Sequence, residues 1–351
     1  MSLKEIRKNI DSLDFQVLQL LNNRMEQVLI AKKFKTEIQD NEREREVLDR
    51  IGKNATGLIN AEFMEKVYVE IIKESKRLQQ NDFKLIAFQG EHGAYGEMAS
   101  REWNRDLVPF PCGTFAEVFE GIQSGLYEYG VVPVENTLGG AVAQVNQLLI
   151  NTDLNVVGAV ELPVHHCLLA LPGTDHREIR SIYSHPQALS QCRQFLQRNK
   201  LEPVPFSDTA GAAKMLAEKR PKRAAAIASK LSAKLYNLEI IKEKVEDLDR
   251  NMTRFLILSK EENIEEGDKC SIVFATEHKA GTLFSVLQAF ASRDINLTRI
   301  ESIPNEPGDY AFFLDFEGSD KNDTVIEALK EVSNITTSLK LMGCYKERRV
   351  R

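Results

Sequence analysis

Residues Asp247–Leu258 read D-L-D-R-N-M-T-R-F-L-I-L and mark the point where one domain closes and the next begins. The second half, Phe255–Leu258, is a short apolar run typical of a buried strand. Asn251, Thr253 and Arg254 precede that run, and strand ends are where α/β sheets usually hold ligand-binding groups. The acidic residues after this stretch predict a linker. Thr and Arg beside a strand are more often structural than catalytic, so the function depends on the rest of the chain.

The composition is that of an ordinary globular protein with room for two or three domains. The chain has 351 residues, 42% hydrophobic and 28% charged, with a net charge of −6. This charge does not favour binding to nucleic acid or to an acidic membrane, and an anionic substrate would need a locally positive site. The opening M-S-L-K-E-I-R lacks an apolar core and no run is long enough to cross a bilayer, so we expect a cytoplasmic protein.

The cysteines and histidines do not follow the spacing of metal sites. The cysteines are scattered, odd in number and without C-x-x-C spacing, which predicts reduced core thiols; they are Cys112, Cys167, Cys192, Cys270 and Cys344. The histidines include the pair His165–His166 but no H-E-x-x-H motif. The G-x-x-G-x-x-G at 90–96 is not the dinucleotide fingerprint G-x-G-x-x-G. We therefore expect neither a metal nor a cofactor.

Residues 1–80 predict a helical domain with basic side chains in an apolar stripe. One uninterrupted helix is predicted from Leu3 to about Ile38, and its heptad stripe contains Arg7, Arg24 and Lys35. A charge in such a seam requires a partner or a ligand, although a single one could snorkel from the edge. Two further helices are predicted, at 41–52 and 61–80.

The spacing of the three cations limits which of them share a site. Arg24 and Lys35 lie about 16 Å apart along a helix and nearly in phase, so both can reach one small anion. Arg7 lies about 26 Å before Arg24 on a straight helix. It would therefore act in a second site, most simply that of a dimer partner.

This segment resembles the all-helical chorismate mutases, in which two chains intertwine and each site borrows an arginine from the other subunit. The resemblance implies that Arg24 and Arg7 hold the two carboxylates of chorismate and that Lys35 and Gln79 act on the ether oxygen. It implies that the remaining pocket residues are Asp40, Arg43, Glu44 and Ser75. The rearrangement of chorismate to prephenate needs a folded conformer and positive charge at the breaking ether oxygen, without a nucleophile.

Residues 84–260 alternate between strand and helix patterns, which predicts a layered α/β domain. Thr114, with Glu117 three residues on, predicts an N-cap before a helix at 115–123. A strand is predicted at Tyr129–Val134, and the loop E-N-T-L-G-G follows it at 135–140. The polar stretch S-H-P-Q at 184–187 follows another predicted strand, and a single helix is predicted from Pro186 to about Asn199. Each motif alone is weak, because these are ordinary turn residues.

Together with N-M-T-R-F, these motifs resemble the prephenate dehydratase domain over its full length. The resemblance implies two α/β subdomains around a cleft, similar to bacterial solute-binding proteins. It implies that the cleft and its surroundings contain Glu135, Asn136, Thr137, Ser184, Gln191, Thr209, Thr253 and Arg254. Thr253 is the implied catalytic residue, a hydrogen-bond donor to the hydroxide that leaves prephenate. The serine that relatives often carry after E-N-T is replaced by Leu138-Gly139-Gly140.

Residues 269–345 predict the order β-α-β-β-α-β of a ferredoxin-like domain, with its first strand at Lys269–Ala275. The stretches G-T-L-F at 281–284 and E-S-I-P at 301–304 resemble the two phenylalanine-binding motifs of ACT domains. The resemblance implies an effector site at a dimer interface, formed by Gly281, Thr282, Leu283, Phe284, Glu301 and Ser302. Ile303 stands where the usual motif has arginine. A purely structural dimerisation domain is the alternative.

The whole chain thus resembles the bifunctional chorismate mutase/prephenate dehydratases with an ACT domain, in three domains at 1–80, 84–260 and 269–345. The resemblance implies that chorismate is converted to prephenate and then to phenylpyruvate, with inhibition by phenylalanine. It implies a homodimer and leaves open whether dimers pair into tetramers. Two alternatives stay open: a non-catalytic sensor of aromatic metabolites, and a dehydratase with a vestigial mutase segment.

Overall fold

The structure is a computed structural model that describes residues 2–263, 266–306 and 309–350. The chain forms two compact units, Met1–Phe83 and Lys84–Arg351. No helix in the described part of the chain is long and apolar enough to cross a membrane.

The first unit consists of helices α1 (Leu3–Lys32), α2 (Asn41–Asn54) and α3 (Ala61–Gln80). Ser2 and Glu5 form a capping box at the start of α1. The prediction that α1 continues to Ile38 is wrong, because the helix ends at Lys32. The early end is explained by Asp40, whose carboxylate accepts a hydrogen bond from the Arg43 amide at 2.9 Å and caps α2. An N-cap residue has a non-helical backbone, so the helix cannot continue into α2.

The second unit begins with alternating strands and helices. In chain order its elements are β1 (Leu85–Gln89), α4 (Tyr95–Trp103), β2 (Val108–Cys112), α5 (Phe115–Gln123), β3 (Tyr129–Asn136), β4 (Gly140–Ala141), α6 (Ala143–Ile150), β5 (Asn155–Pro163), β6 (Cys167–Ala170), β7 (Ser181–Ser184), α7 (Pro186–Gln191), α8 (Arg193–Arg198), β8 (Glu202–Pro205), α9 (Thr209–Lys219), β9 (Ala224–Ala228), α10 (Lys230–Leu235), β10 (Glu239–Lys242), β11 (Met252–Ser259), β12 (Lys269–Ala275), α11 (Thr282–Ala291), β13 (Leu297–Glu306), β14 (Asp309–Glu317), α12 (Asp323–Ile335), β15 (Ser338–Tyr345) and β16 (Glu347–Arg349).

The first lobe of this unit is built on a sheet with the order β16-β5-β11-β3-β1-β2, and β4 pairs with β3. The strands β1, β3, β5 and β11 are largely buried and apolar, and α4 and α5 pack against this sheet. β11 runs antiparallel to both of its neighbours, β3 and β5. The predicted cap at Thr114 and the helix that follows it are confirmed.

The second lobe is built on a sheet with the order β10-β6-β9-β7-β8. The single helix predicted from Pro186 to Asn199 is wrong, because the chain forms α7 and α8 with a break at Cys192. The chain crosses between the lobes twice, and the crossing segments are joined by hydrogen bonds from Val164 N to Asn251 O at 2.8 Å and from Val245 N to His166 O at 3.0 Å. These paired crossings connect the lobes of an α/β domain with a cleft, as the sequence predicted.

The last sheet has the order β13-β14-β12-β15, which confirms the ferredoxin-like prediction. Helices α11 and α12 cover one face around a core that includes Phe290 and Phe316. Elements of this sheet also contact the first lobe, where β13 meets α6 and β15 meets β5. The chain then returns to the first lobe, where β16 pairs in parallel with β5.

The prediction that every cysteine is a reduced thiol is wrong for one pair. Cys270 and Cys344 lie directly opposite each other on β12 and β15, with their Cα atoms 4.2 Å apart, and form a disulfide. The two residues are 74 positions apart in the chain, so only the strand pairing brings them together. Cys112, Cys167 and Cys192 are free and buried.

Candidate active site

A cleft of about 590 Å³ lies between the two lobes. The first lobe contributes residues from β1, β3 and β11, and the second lobe contributes α7 and the start of α9. The polar side chains that line the cleft are Gln89, Tyr95, Thr114, Asn136, Gln144, His166, His185, Gln187, Gln191, Ser207, Asp208, Thr209 and Thr253. The apolar remainder includes Phe115, Val131 and Phe255.

Asn136 and Thr253 form a hydrogen-bonded pair in the floor of the cleft. They lie opposite each other on the antiparallel strands β3 and β11, and Asn136 Nδ2 donates to Thr253 Oγ1 at 2.8 Å. Asn136 Oδ1 accepts from the amides of Leu138 and Gly139 at 3.1 and 2.8 Å, which fixes the orientation of the amide group. Because Thr253 Oγ1 is an acceptor in this pair, its hydroxyl hydrogen can be donated into the cleft.

A chain of buried hydrogen bonds continues from this pair to the lobe crossing. Asn136 Nδ2 donates to Asn251 Oδ1 at 2.7 Å, and Asn251 Nδ2 donates to Gln191 Oε1 at 3.2 Å. His166 Nε2 lies 2.9 Å from the same Gln191 oxygen. The Tyr95 hydroxyl lies 2.9 Å from His166 Nδ1 and donates to the His165 carbonyl at 2.6 Å. The relay therefore joins residues from both lobes and both crossing segments.

The protonation of His166 follows from this geometry. Gln191 Oε1 is an acceptor, so His166 Nε2 carries the hydrogen. The bare Nδ1 of the neutral ring can then only accept from the Tyr95 hydroxyl, whose single hydrogen is shared with the His165 carbonyl. Burial lowers the pKa of His166 below its usual value, which favours the neutral ring. Glu246 fixes the crossing next to it by accepting from the His166 amide at 2.9 Å and by contacting His165 Nδ1 at 2.8 Å.

The described residues that line the cleft include no lysine and no arginine. The cleft instead contains the starts of α4, α5 and α9, together with residues just before α6. The N-caps of α4 and α6, Ala94 and Val142, make no side-chain cap hydrogen bond. Backbone amides at helix N-termini attract anions, so the cleft has the features of an anion site without a side-chain cation.

The helical unit brings together three of the residues predicted for its own site. Arg24 Nη1 donates to Ser75 Oγ at 2.6 Å, and Gln79 Nε2 donates to the Val28 carbonyl at 2.8 Å. Ser75 and Gln79 are buried one turn apart on α3 and face α1. These three side chains therefore lie in one helical seam.

The other predicted residues of this unit are spread more widely. Lys35 lies in the turn after α1, and Arg7 lies near the start of that helix. Asp40 is occupied in capping α2, and Arg43 pairs with Glu46 at 2.7 Å. Glu44 pairs with Lys76 of α3 at 2.6 Å. The seam of one chain thus holds only part of the predicted set.

The residues predicted for effector binding lie in two places on the C-terminal sheet. Gly281 caps α11 with a left-handed backbone at φ +91°, and Thr282 to Phe284 form the first turn of the helix. The Phe284 side chain is exposed. Glu301 and Ser302 lie on β13, an edge strand of that sheet.

Comparison with known proteins supports the three-part division of the chain. A prephenate dehydratase family model matches residues 86–263, a chorismate mutase type II model matches 6–80, and an ACT domain model matches 271–334. The bifunctional chorismate mutase/prephenate dehydratase of Aquifex aeolicus is 34% identical over 358 residues, which cover 98% of this chain and 97% of that protein. The chain belongs to this family of bifunctional enzymes.

Two further relatives each match about three quarters of this chain. Arogenate dehydratase/prephenate dehydratase 6 of Arabidopsis thaliana, a chloroplastic protein, is 40% identical over 281 residues, covering 74% of this chain and 68% of that protein. The solved structure of prephenate dehydratase from Arthrobacter aurescens in complex with L-Phe is 29% identical, with a TM-score of 0.70. That match covers 75% of this chain and 89% of the other chain.

The prephenate dehydratase domain gathers only half of the residues predicted for its cleft. Asn136, Gln191, Thr209 and Thr253 line it. Ser184 does not: it is fully buried in the second lobe, where its hydroxyl donates to the Ile227 carbonyl at 2.6 Å. Thr137 does not either, since its hydroxyl donates to the Arg250 carbonyl at 3.1 Å and accepts from the Met252 amide at 3.0 Å.

Glu135 and Arg254 also lie outside the cleft, on the back of the strands that carry Asn136 and Thr253. The sequence predicted a loop at 135–140 and a strand entrance at 251–254, whereas β3 extends through Asn136 and β11 begins at Met252. Consecutive side chains of a strand point to opposite faces. Because Asn136 and Thr253 face the cleft, Glu135 and Arg254 face the ACT sheet.

The sequence predictions missed His166 and Tyr95 as members of the active-site network, and they singled out Asn251 only as a polar residue at the strand entrance. His166 lies in the P-V-H-H-C-L-L stretch and Tyr95 follows the glycine-rich turn after β1. A buried histidine in an apolar stretch was the available signal, because such a side chain needs hydrogen-bond partners. The partners themselves come from elements distant in sequence.

Proposed function

We propose that this chain catalyses two consecutive reactions: the rearrangement of chorismate to prephenate in the helical unit, and the conversion of prephenate to phenylpyruvate in the cleft. The observation that carries the second reaction is the Asn136–Thr253 pair, with the Thr253 hydroxyl hydrogen available to the cleft. The seam of Arg24, Ser75 and Gln79 supports the first.

In the dehydratase reaction, prephenate loses carbon dioxide from one ring carbon and its hydroxyl group from the opposite one. The C–C bond to the carboxylate breaks, its electron pair completes the aromatic ring, and the departing hydroxide takes one proton to become water. Thr253 is the donor to that leaving oxygen. The hydrogen bond from Asn136 stabilises negative charge that develops on Thr253 Oγ1, so it strengthens the hydroxyl as a donor.

The carboxylates of prephenate would be held by backbone amides in place of side-chain cations. The starts of α4 and α5 and the residues preceding α6 contribute to the cleft, and their helix dipoles favour negative charge. Gln191 and Thr209 supply further polar contacts from the second lobe. Binding across the two lobes excludes water and holds the leaving groups in the reactive geometry.

In the mutase reaction, the helical seam must hold a dicarboxylate in its folded conformer and stabilise charge on the ether oxygen. Arg24 would bind one carboxylate, and Gln79 would donate a hydrogen bond to the ether oxygen. Lys35 would reach the same oxygen from the turn after α1. Arg7, Asp40, Arg43, Glu44 and Ser75 complete the proposed set.

A homodimer would explain both the position of Arg7 and the surface of α1. Arg7 and Arg24 belong to one continuous helix and lie about 26 Å apart on it, too far to bind one small substrate. Apolar side chains of α1 such as Leu13 and Leu20 are 58% and 67% exposed. A second copy would cover them and supply Arg7 to the site that contains Arg24.

Phenylalanine is the proposed effector of the ACT domain. The chain resembles a prephenate dehydratase solved in complex with L-Phe over 75% of its length. Gly281 to Phe284 would bind the amino acid at the start of α11, with Glu301 and Ser302 on β13. Ile303 is 6% exposed and provides no charge at this position, so we expect weak affinity.

One reaction tests the two activities together: purified protein is given chorismate, and the loss of chorismate and gain of phenylpyruvate are followed in parallel. Both signals are expected. Loss of chorismate with accumulation of prephenate would contradict the role of Thr253. If chorismate is stable but prephenate is converted, the mutase segment is vestigial, and inactivity on both would favour the sensor.

Arogenate should be assayed beside prephenate. Relatives named arogenate dehydratases are 39% and 40% identical to this chain over 74% of its length. If kcat/KM is higher with arogenate than with prephenate, the proposed dehydration chemistry stands but the preferred substrate is arogenate.

A further inference from the structure

The strands β3 and β11 present two opposite faces, and each face belongs to a different site. Asn136 lies opposite Thr253, and Glu135 lies opposite Arg254. The first pair faces the cleft, and the second faces the ACT sheet. A displacement of the back of these strands therefore moves the groups that we assign to dehydration.

Arg254 is bound on this back face by a buried ionic network. Its Nη1 and Nε pair with Asp315 and Glu347, and its Nη2 donates to the Tyr345 hydroxyl at 3.0 Å. Asp315 is fully buried on β14 and also accepts from Ser271 of β12. The buried ion pair between Arg254 and Asp315 thus joins the strand of Thr253 to the middle of the ACT sheet, and solvent does not screen it.

Arg299 forms the second connection, and it is incomplete. It lies on β13, its Nη2 donates to Asn146 Oδ1 of α6 at 2.9 Å, and its guanidinium lies 4.9 Å from the centre of the Phe313 ring. Its Nε lies 3.9 Å from Glu135 Oε2. Among the described residues, Nε and Nη1 of Arg299 have no hydrogen-bond partner, although the side chain is only 5% exposed.

Such an unsatisfied buried cation is costly, and a shift of about 1 Å would close its contact with Glu135 into a hydrogen bond. A second, hydrogen-bonded arrangement would therefore lie close to the observed one. Arg299 is separated by a single residue from Glu301, which lies on the same strand and belongs to the proposed effector site. A ligand that moves β13 would change the Arg299–Glu135 distance.

We propose that Arg254 and Arg299 are positioning residues through which the ACT sheet sets the Asn136–Thr253 pair, and that the Arg299–Glu135 contact changes when the effector binds. Arg254 holds the two domains in register, and Arg299 transmits the displacement of β13 to β3. This inference rests on the proposed function of the cleft and of the ACT domain.

The first test compares Arg299→Gln with Arg293→Gln, using the full chain. Arg293 is a matched control, because it also lies in the ACT domain but bonds to Glu331 and to the Ala289 carbonyl, away from the dehydratase lobes. Phenylalanine binding is measured by calorimetry and its inhibition of prephenate turnover by assay. We expect Arg299→Gln to bind phenylalanine within about threefold of wild type while the inhibitory concentration rises at least about tenfold, in the range of known coupling factors.

Arg293→Gln is expected to keep both values. If the inhibitory concentration of phenylalanine changes by the same factor as its dissociation constant in both variants, Arg299 has no role in coupling. Glu135→Gln and the double variant complete a cycle, and additive effects on inhibition would likewise contradict a direct contact.

The second test uses Arg254→Lys and does not depend on an effector. Loss of the three-way guanidinium contact should lower kcat for prephenate by about tenfold or more, since a small misplacement of catalytic groups is costly, with KM changed less than about threefold. A rise in KM with unchanged kcat would contradict the positioning role and indicate that Arg254 binds the substrate. A lower melting temperature with unchanged kcat would make it only structural.

These tests separate the inference from the proposed function. A wild-type protein that does not convert prephenate or arogenate contradicts the function itself. A wild-type protein that converts one of them but is not inhibited by phenylalanine overturns the effector part, and Arg254→Lys still decides the positioning part.

Discussion

At the scale of single residues, our proposal makes the dehydratase reaction depend on the Thr253 hydroxyl. We expect Thr253→Ala to lower phenylpyruvate formation at least about 100-fold, since it removes the donor to the leaving oxygen, while chorismate consumption stays within about twofold. Both rates are measured on one preparation.

Thr152→Ala is the matched control for this change. Thr152 is also a buried threonine of the first lobe, but its hydroxyl oxygen accepts from the Leu154 amide and from Gln123, both at 3.2 Å, away from the cleft. It should lose stability without losing turnover per folded molecule. Equal loss of both activities in Thr253→Ala would contradict separate sites.

His166 gives the relay a measurable pH dependence. Burial lowers its pKa from the usual 6.5, so the unfolded chain takes up a proton at mildly acidic pH that the folded chain does not. Its contribution to the free energy of unfolding is therefore complete above about pH 6.5 and is lost as the pH falls toward the lowered value, by at most about 1.4 kcal/mol per pH unit.

We expect the melting temperature of wild type to fall more steeply between about pH 6.5 and pH 5 than that of His166→Gln, which cannot take up this proton. His176→Gln, a change at an exposed histidine, should retain the wild-type slope. Parallel slopes in all three proteins would show that His166 has no perturbed titration.

At the scale of elements, the sequence predicted most strands and helices but not the face on which each side chain lies. The strand Lys269–Ala275 and the helix Phe115–Gln123 are found with the predicted bounds. The predicted strands end at Val134 and begin at Phe255, whereas β3 continues through Asn136 and β11 begins at Met252. Because side chains alternate along a strand, that difference decides whether Arg254 or Thr253 faces the cleft.

The hydrogen-bond relay of the candidate active site could not be predicted from the sequence for a different reason. Asn251 and Gln191 are separated by 60 positions, and Tyr95 and His166 by 71. Their contacts follow from how the chain crosses between the lobes, and hydrophobic periodicity contains no information about that. The motif resemblance identified four cleft residues, since motifs preserve side-chain identity, but it also included Ser184 and Thr137, which support the cleft from outside.

The contribution to stability of the contact between the lobes at Gly93 can be tested by mutation. Gly93 has φ +93°, its carbonyl accepts from Ser229 Oγ at 2.6 Å, and an added Cβ would lie 2.9 Å from the Ser232 backbone. Gly93→Ala should lower the free energy of unfolding by at least about 1–3 kcal/mol. The loss has two causes, strain in the left-handed backbone and the clash of the added Cβ with Ser232 of the second lobe.

Gly125→Ala separates the two causes of that loss. Gly125 also has a positive φ, +77°, but an added Cβ would meet nothing within 4 Å. It should show the backbone cost alone. Equal losses in urea unfolding of the two variants would mean that the close approach of the lobes at Gly93 contributes nothing.

At the scale of the whole molecule, the chain places two chemistries in two separately compact units. The dehydratase cleft is built entirely within the second unit, together with the ACT sheet that contacts its back. The helical seam is different, because its predicted arginines are distributed along one helix. One activity should thus be complete within a chain, and the other should require two chains.

Mixing two inactive variants distinguishes these cases for the mutase. If Arg7 comes from the partner, a dimer of one Arg7→Ala chain and one Arg24→Ala chain contains one site with both arginines intact and one with neither. Each variant alone should lack mutase activity, and an equal mixture after subunit exchange should recover about a quarter of the wild-type rate, because half of the dimers are mixed. Dehydratase activity serves as the control and should stay at the wild-type value throughout. If both arginines acted within one chain, every site in the mixture would lack one of them, and no mutase activity would return.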